Sequence, residues 1–398
     1  MAKPQFAVGL DAGSSRTRCL IGLLENSHVR LLASGEALSQ GWVRGRLGDP
    51  RTLSESVRAA VGEAEKGAGV SVDSTVVGIG GITVQGVNNR GVYEMGPSRE
   101  IDAVDVRYAV ELAARIHLPA DRVLLHVLPQ DFAVDGRVGY RNPRGAAGSR
   151  LEAFVHLIIA SAQEHHCLIH AVNQASLEVE DTMYEPLAGS YAALLAEDRE
   201  QGTALVDIGA QSTDLVVYFG EALLHAASLP VSGDHFTRDV CHGLSVAFED
   251  AQQIKEQCGC AILGLTSDSS LIEVPSPEGR PVREAARREL NSILEARAEE
   301  LFLHVRREIA RSGMENELMD GIVLAGAGAN LMGMCDMAER VLNCQARNGL
   351  PVGIEDWPEE LNNPAWTTAA GLMMYSARLK HRKGTDDGGP GLLGRLFR

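Results

Sequence analysis

Residues 6–17 read Phe-Ala-Val-Gly-Leu-Asp-Ala-Gly-Ser-Ser-Arg-Thr, an apolar strand pattern that runs into Asp11, Gly13, Ser14, Ser15 and Arg16. Residues 204–214 repeat the order: Ala-Leu-Val, then Asp207, Ile208, Gly209, Ala210, Gln211, Ser212, Thr213 and Asp214. A second strand pattern follows each loop, at residues 19–24 and 215–219, so each copy predicts a β-hairpin. One Asp-x-Gly turn is ordinary turn chemistry; two in equivalent settings predict a duplicated phosphate loop. Glycine lets successive backbone N–H groups face an anion, and the hydroxyls of Ser14, Ser15, Ser212 and Thr213 add donors. Asp11 and Asp207 repel phosphate but can hold the water of a hydrated Mg²⁺ that bridges phosphate oxygens. The expectation is an α/β protein whose two domains clamp a Mg²⁺-triphosphate, with Asp11 and Asp207 as its catalytic and metal-side acids.

A third loop follows the strand pattern at 322–325 and reads Gly326-Ala-Gly328-Ala329-Asn330 ahead of a predicted helix. Leu331 stands where a dinucleotide fingerprint needs glycine, which excludes a Rossmann reading. In this order the three loops resemble those of the actin, sugar kinase and heat-shock chaperone ATPase superfamily. That resemblance implies a two-lobed, ribonuclease H-like ATPase fold that binds ATP with Mg²⁺, and it gives Gly326, Gly328 and Ala329 to the adenosine. It makes Tyr184-Glu-Pro-Leu-Ala188 and Thr367-Thr-Ala-Ala-Gly371 the two interdomain helices. It also places Asp181 where the superfamily orients the attacking water. No motif for the sugar or acid site of a metabolite kinase occurs.

Within the superfamily the chain resembles the FtsA cell-division family. Ile101-Asp102, Leu124-Leu-His126-Val-Leu-Pro129, Val134-Asp135-Gly136 and Gly148-Ser-Arg150-Leu-Glu152 carry the likeness and imply an inserted α+β subdomain. Its residues predict a strand at 84–87, a helix at 105–116 and two strands around Leu124 and Phe132. Lys255 and Glu256 match the family's adenosine-side pair. Arg16 replaces a common lysine and brings a planar fork to phosphate; Gln252 stands where the family usually has Glu. The expected organisation is subdomain 1A at 1–84 and 161–202, the insertion at 85–160, 2A at 203–240 and 310–378, 2B at 241–309, a linker at 379–390 and a terminal helix at 391–398. The family implies at most slow ATP hydrolysis, self-assembly into filaments, contact with other divisome proteins, and capture of the FtsZ C-terminal peptide by Arg287 and Arg297 of 2B. The related type IV pilus adaptor PilM is the alternative, and the terminal helix distinguishes the two.

Composition sets limits. Apolar residues make up 45% of 398 but never run the eighteen or so that a spanning helix needs, and no signal-peptide pattern occurs near the N-terminus. A net charge of −16 opposes general nucleic-acid binding. The seven scattered cysteines predict reduced thiols of a cytoplasmic protein.

After Arg378 the pattern turns polar and glycine-rich, then ends in Gly-Leu392-Leu393-Gly-Arg395-Leu396-Phe397-Arg398. On a helix the four apolar side chains fill an arc of about 140°, opposite Arg395 and Arg398. This predicts an interfacial helix on anionic lipid at the cytoplasmic face of the cell membrane. Burying four such side chains gains roughly 6–12 kcal/mol, while ordering eight residues at about 1.5 kcal/mol each costs a comparable amount. One tail holds weakly; many on a filament hold tightly by effective concentration. Finally, His166 and His170, four apart, are expected to lead into an apolar strand at 168–172, where an i,i+4 pair would not share a helical face, and no second ligand cluster accompanies them for a metal.

Overall fold

The computed structural model describes residues 4–25, 28–267, 269–275, 282–315 and 317–384. The predicted terminal helix, with Leu392, Leu393, Arg395, Leu396, Phe397 and Arg398, lies outside them.

The chain opens with β1 (Phe6–Ala12), β2 (Arg16–Glu25) and β3 (His28–Leu38), an antiparallel meander. A ribbon of β4 (Trp42–Val43) and β5 (Arg46–Leu47) precedes α1 (Pro50–Ala68), and β6 (Ser74–Ile79) returns parallel to β1. Helix α1 starts where the Asp49 carboxylate accepts from the Arg51 N–H, and it stops at Gly69 in the left-handed region, φ 66°. Leu53, Val57, Ala60, Val61 and Ala64 recur at helical spacing, so they form one buried face over β3.

The insertion comprises β7 (Gln85–Glu100), α2 (Ala103–Ala114), β8 (Arg122–Val134), β9 (Arg137–Tyr140) and β10 (Ala147–Ser161), in the sheet order β7-β10-β8-β9. It has its own core, centred on Val106, Val110, Phe132, Val155 and Leu157. The two strands predicted around Leu124 and Phe132 are one. Pro129 cannot donate to a ladder, and the register with β10 shifts beside it, at Phe154/Val155, so the strand bulges where the sequence reads as a break.

Helix α3 (Ala162–Gln174) corrects the strand expected at 168–172. The Ser161 hydroxyl accepts from the Glu164 N–H to start it, and Leu168, Ala171 and Val172 are its buried face. A short apolar run fits either period, and here the helix wins. His166 and His170 thus do have one-turn spacing; His170 Nε2 bonds Gln174 at 2.9 Å. Strand β11 (Glu178–Tyr184) then pairs with β6, and α4 (Glu185–Ala193) and α5 (Ala196–Gln201) lead to the second lobe.

There β12 (Thr203–Ile208), β13 (Thr213–Phe219) and β14 (Ala222–Leu229) form a second meander. Helices α6 (Gly233–Leu244) and α7 (Phe248–Cys258), a ribbon of β15 (Leu271–Val274) and β16 (Arg283–Ala286), and the long α8 (Arg287–Ser312) follow. Strand β17 (Ile322–Ala325), α9 (Met334–Leu342) and β18 (Ala346–Asn348) complete this lobe. Its order β14-β13-β12-β17-β18 repeats β3-β2-β1-β6-β11, with the same parallel and antiparallel pairings, so the duplication seen in the loops extends to the whole sheet.

The chain then recrosses. Strand β19 (Ile354–Glu355) pairs with β3, and α10 (Thr367–Gly384) packs on β1 and α4, its Ala369, Ala370 and Met373 sharing a core with Ala7 and Leu20. The expected boundary at 310–378 is corrected accordingly: β19 and α10 lie on the first sheet, the segment at 363–366 between them reaches the second lobe's loop at 326–330, and 379–384, expected in the linker, continue α10.

Candidate functional site

Strand pairing ends at Ala12–Thr17 in the first hairpin and at Ile208–Thr213 in the second, so residues 13–16 and 209–212 close turns of equal length. In the second, the Gly209 N–H donates to the Ser212 carbonyl at 2.9 Å. The turns face each other: the Gln211 N–H donates to Ser14 Oγ at 3.2 Å, and Gln211 Oε1 accepts from the Gly45 N–H at 2.7 Å.

Between the lobes lies a cleft of about 680 Å³, within the range of small-molecule sites. Asp11, Gly13, Ser14, Ser15 and Arg16 line it from the first hairpin, and Asp207, Gly209 and Ser212 from the second. Lys255 and Glu256 of α7 and the loop residues Gly326 and Gly328 line its other end. Gly328 is required by close approach, because a Cβ there would lie 2.4 Å from Ile208 Cγ2. The residues after β17 form a 3-10 turn, and α9 starts only at Met334.

Three expected residues are elsewhere. Thr213 is fully buried in β13, and Ala329 is buried in the second lobe's core, beneath its loop. Asp181 is held by the Tyr375 hydroxyl at 3.0 Å and the Thr182 N–H at 3.0 Å and does not line the cleft. The acid present in its stead is Glu185, the first residue of α4, ahead of Pro186. That Glu-Pro pair at a helix start was the available signal. Asp214, the register partner of Asp207 in β13, completes the acidic floor behind it. It accepts from the Gly81 N–H at 3.1 Å and from the Ser228 hydroxyl. Arg18, Trp366 and Thr368 also line the cleft unforeseen; the Arg18 guanidinium lies 5.5 Å over the Trp366 ring and pairs with Glu36 at 2.8 Å.

The four acids, Asp11 and Asp214 buried and Asp207 and Glu185 half-buried, share one electrostatic condition. Burial raises Asp11 to about 6 against the pull of Arg18. Burial also lifts Asp207 to about 7, opposed by the Thr368 hydroxyl bonded at 2.6 Å and reinforced by Asp11 and Asp214. Burial pushes Glu185 and Asp214 up as well. Such a floor favours a cation. Among the described residues no three His, Cys, Asp or Glu side chains converge as a direct metal cage. Mg²⁺ does not need one, since it keeps several waters and takes one or two carboxylates plus phosphate oxygens; Asp11 and Asp207 fit that donor set.

A pH dependence follows. Because the folded state holds the Asp11 and Asp207 protons more tightly than the unfolded chain, their stabilising contribution is full below about pH 4 and is lost as pH rises through about 6 and 7. The thermal midpoint of the nucleotide-free protein should therefore fall between about pH 4 and 7. Mg²⁺·ATP, which favours the ionised acids, should flatten that fall. Thermal unfolding with and without nucleotide checks both, and a midpoint that rises over this window without nucleotide contradicts the account.

At the other end, Lys255 Nζ donates to Thr237 Oγ1 at 2.9 Å, Gln252 Oε1 at 3.0 Å and the Gly233 carbonyl at 3.3 Å, and burial lowers its pKa. Gln252, in the place usual for Glu, is thereby part of the cleft wall. The intended 2B arginines are engaged internally: Arg297 forks onto Asp239 at 2.5 and 3.0 Å, and Arg287 Nε donates to the Cys258 carbonyl at 2.6 Å.

The model of "Cell division protein FtsA" matches residues 204–371, and that of "SHS2 domain inserted in FTSA" matches 81–159. The FtsA of Pseudomonas aeruginosa is 33% identical over 372 residues, covering 93% of this chain and 89% of the relative. The chain belongs to the FtsA family of cell-division proteins. The FtsA of Borreliella burgdorferi is 34% identical over 92% of this chain and 90% of that relative, and that of Escherichia coli K12 is 31% identical over 93% and 90%. Among solved structures, a PilM–PilN type IV pilus biogenesis complex superposes with TM-score 0.66 at 18% identity, covering 93% of this chain and 98% of the other. MreB5 of Spiroplasma citri bound to AMPPNP superposes at 0.59 and 11%, covering 96% and 99%. These two likenesses show the actin-like fold; the pilus reading has no support beyond it. The matched insertion at 81–159 coincides with the β7-to-β10 unit and its separate core.

Proposed function

We propose that this FtsA-family chain binds ATP with Mg²⁺ between its lobes, polymerises on the cytoplasmic face of the cell membrane, and tethers the FtsZ C-terminal peptide and other divisome proteins there. The observation that carries the nucleotide reading is the facing pair of equal-length loops over a floor of four acids. The loop N–H groups and hydroxyls bind phosphate, Arg16 and Arg18 offset its charge, and Asp11 and Asp207 hold the hydrated cation. Glu185 is the acid we assign to orient water and, in its ionised form, which burial disfavours, to accept its proton, giving at most slow hydrolysis.

Among the described residues no helix is long and apolar enough to cross a membrane, and the proposed anchor is the amphipathic segment 391–398. A chain ending at Gly389 should lose sedimentation with anionic liposomes, whereas the full chain should pellet, and more so with ATP when filaments pool their tails. Equal pelleting of the two chains removes the anchor. The acidic FtsZ peptide is proposed to dock on 2B and to compete with Asp239 for Arg297. Arg297→Glu should weaken peptide binding by about tenfold or more, read by fluorescence anisotropy; unchanged affinity excludes Arg297 from the peptide site.

A further inference from the structure

A second cavity, of about 550 Å³, adjoins the cleft on its phosphate side. Arg44 at the β4–β5 tip and Ile82 supply its first-lobe wall; Gln211, Asp234, His235 and Arg238 supply much of the second. Asp234 borders both cavities. Gln211 belongs to the second phosphate loop, and its side chain is latched across the lobes onto the Gly45 N–H.

The cavity's chemistry is that of an oxyanion site. Arg44 and Arg238 bring two guanidiniums; among the described residues only Arg238 pairs with a carboxylate, Asp234 at 3.7 Å. His235 Nδ1 accepts from the Ser232 N–H at 3.1 Å, which places the proton of the neutral ring on Nε2 and makes that atom a donor. The start of α6 contributes no free donors: the Gly233 and Asp234 N–H groups already donate to the Gly209 and Ala210 carbonyls at 2.9 and 2.7 Å. Side chains therefore carry the recognition. Those same two bonds fasten α6 to the phosphate loop, so the cavity and the loop move together.

We infer that this cavity binds inorganic phosphate, held by Arg44 and Arg238, and that Gln211 is the gate through which phosphate leaves the nucleotide cleft. The transit role rests on the proposed ATP site; the phosphate site itself does not.

The test is calorimetric titration of inorganic phosphate into the full chain, nucleotide-free and ADP-loaded, for wild type and for Arg44→Ala/Arg238→Ala. Saturable binding by wild type that weakens about tenfold or more in the double variant is expected, with ADP affinity unchanged because neither arginine lines the cleft. Absence of saturable phosphate binding in wild type, or equal affinity in both proteins, overturns the site. If ADP fails to bind wild type, the nucleotide reading falls while the nucleotide-free titration still decides the phosphate site. For the gate, single-turnover ATP cleavage measured alongside phosphate release with a phosphate-sensing fluorophore should show a shorter lag between cleavage and release in Gln211→Ala than in wild type. An unchanged lag overturns the gate.

Discussion

Gly371→Val is expected to lower the thermal midpoint by at least about 6 °C, equivalent to roughly 3 kcal/mol or more in a domain of this size. Helices α4 and α10 cross with no room for a side chain: a Cβ on Gly371 would lie 1.8 Å from the Ala188 carbonyl oxygen and 2.4 Å from its carbon. Backbone, unlike a flexible side chain, cannot swing aside. Helix α10 cannot retreat the other way either, since a Cβ on Gly9 of β1 would lie 2.3 Å from the Met373 nitrogen. The helix is therefore held between α4 and the first sheet by two glycine contacts. Alanine at 371 already introduces the offending atom, so Gly371→Ala should share most of the loss. The damage should reach the cleft, because Thr368, the second residue of α10, holds Asp207 through its hydroxyl. Midpoints of both variants within about 1 °C of wild type would refute this packing.

Asp207→Asn is expected to act in opposite directions on stability and binding. The substitution keeps the shape of the side chain and an acceptor for Thr368, yet removes a charge from a half-buried group beside Asp11, Asp214 and Glu185. At about pH 8 the nucleotide-free variant should melt a few degrees higher, as active-site charge is commonly maintained against stability. Its affinity for Mg²⁺·ATP should fall about a hundredfold, or roughly 2.7 kcal/mol, because the hydrated cation loses one of two carboxylates. Thermal unfolding and nucleotide titration on the same preparation separate the effects. A variant that is both less stable and fully competent to bind would show that Asp207 serves packing.

The duplicated loops were legible because phosphate-binding chemistry is local: an acid at a strand end, a glycine and hydroxyls within a few residues. The structure extends that repeat to five strands in each lobe. The water-side acid was not legible. Asp181 and Glu185 are both acids near the start of α4, and only the fold shows that Asp181 is tied to Tyr375 while Glu185 reaches the cleft. The return of the chain to the first lobe was equally hidden. It depends on the two-residue strand β19 finding β3 more than three hundred positions earlier, and so short a strand has no detectable period. The segment at 168–172 misled for a related reason, since five apolar-rich residues fit helix and strand alike until the Ser161 cap is seen. Thr213 and Ala329 were assigned by their place in a loop motif, and each has its side chain buried within the lobe.

These particulars converge on one claim, that the interlobe cleft is a Mg²⁺-dependent ATP site. Equilibrium titration of ATP into the full chain, with Mg²⁺ and with the metal chelated, tests it most directly. The account predicts one saturable site that weakens at least about tenfold when Mg²⁺ is withdrawn; no saturable binding, or binding indifferent to Mg²⁺, would contradict it.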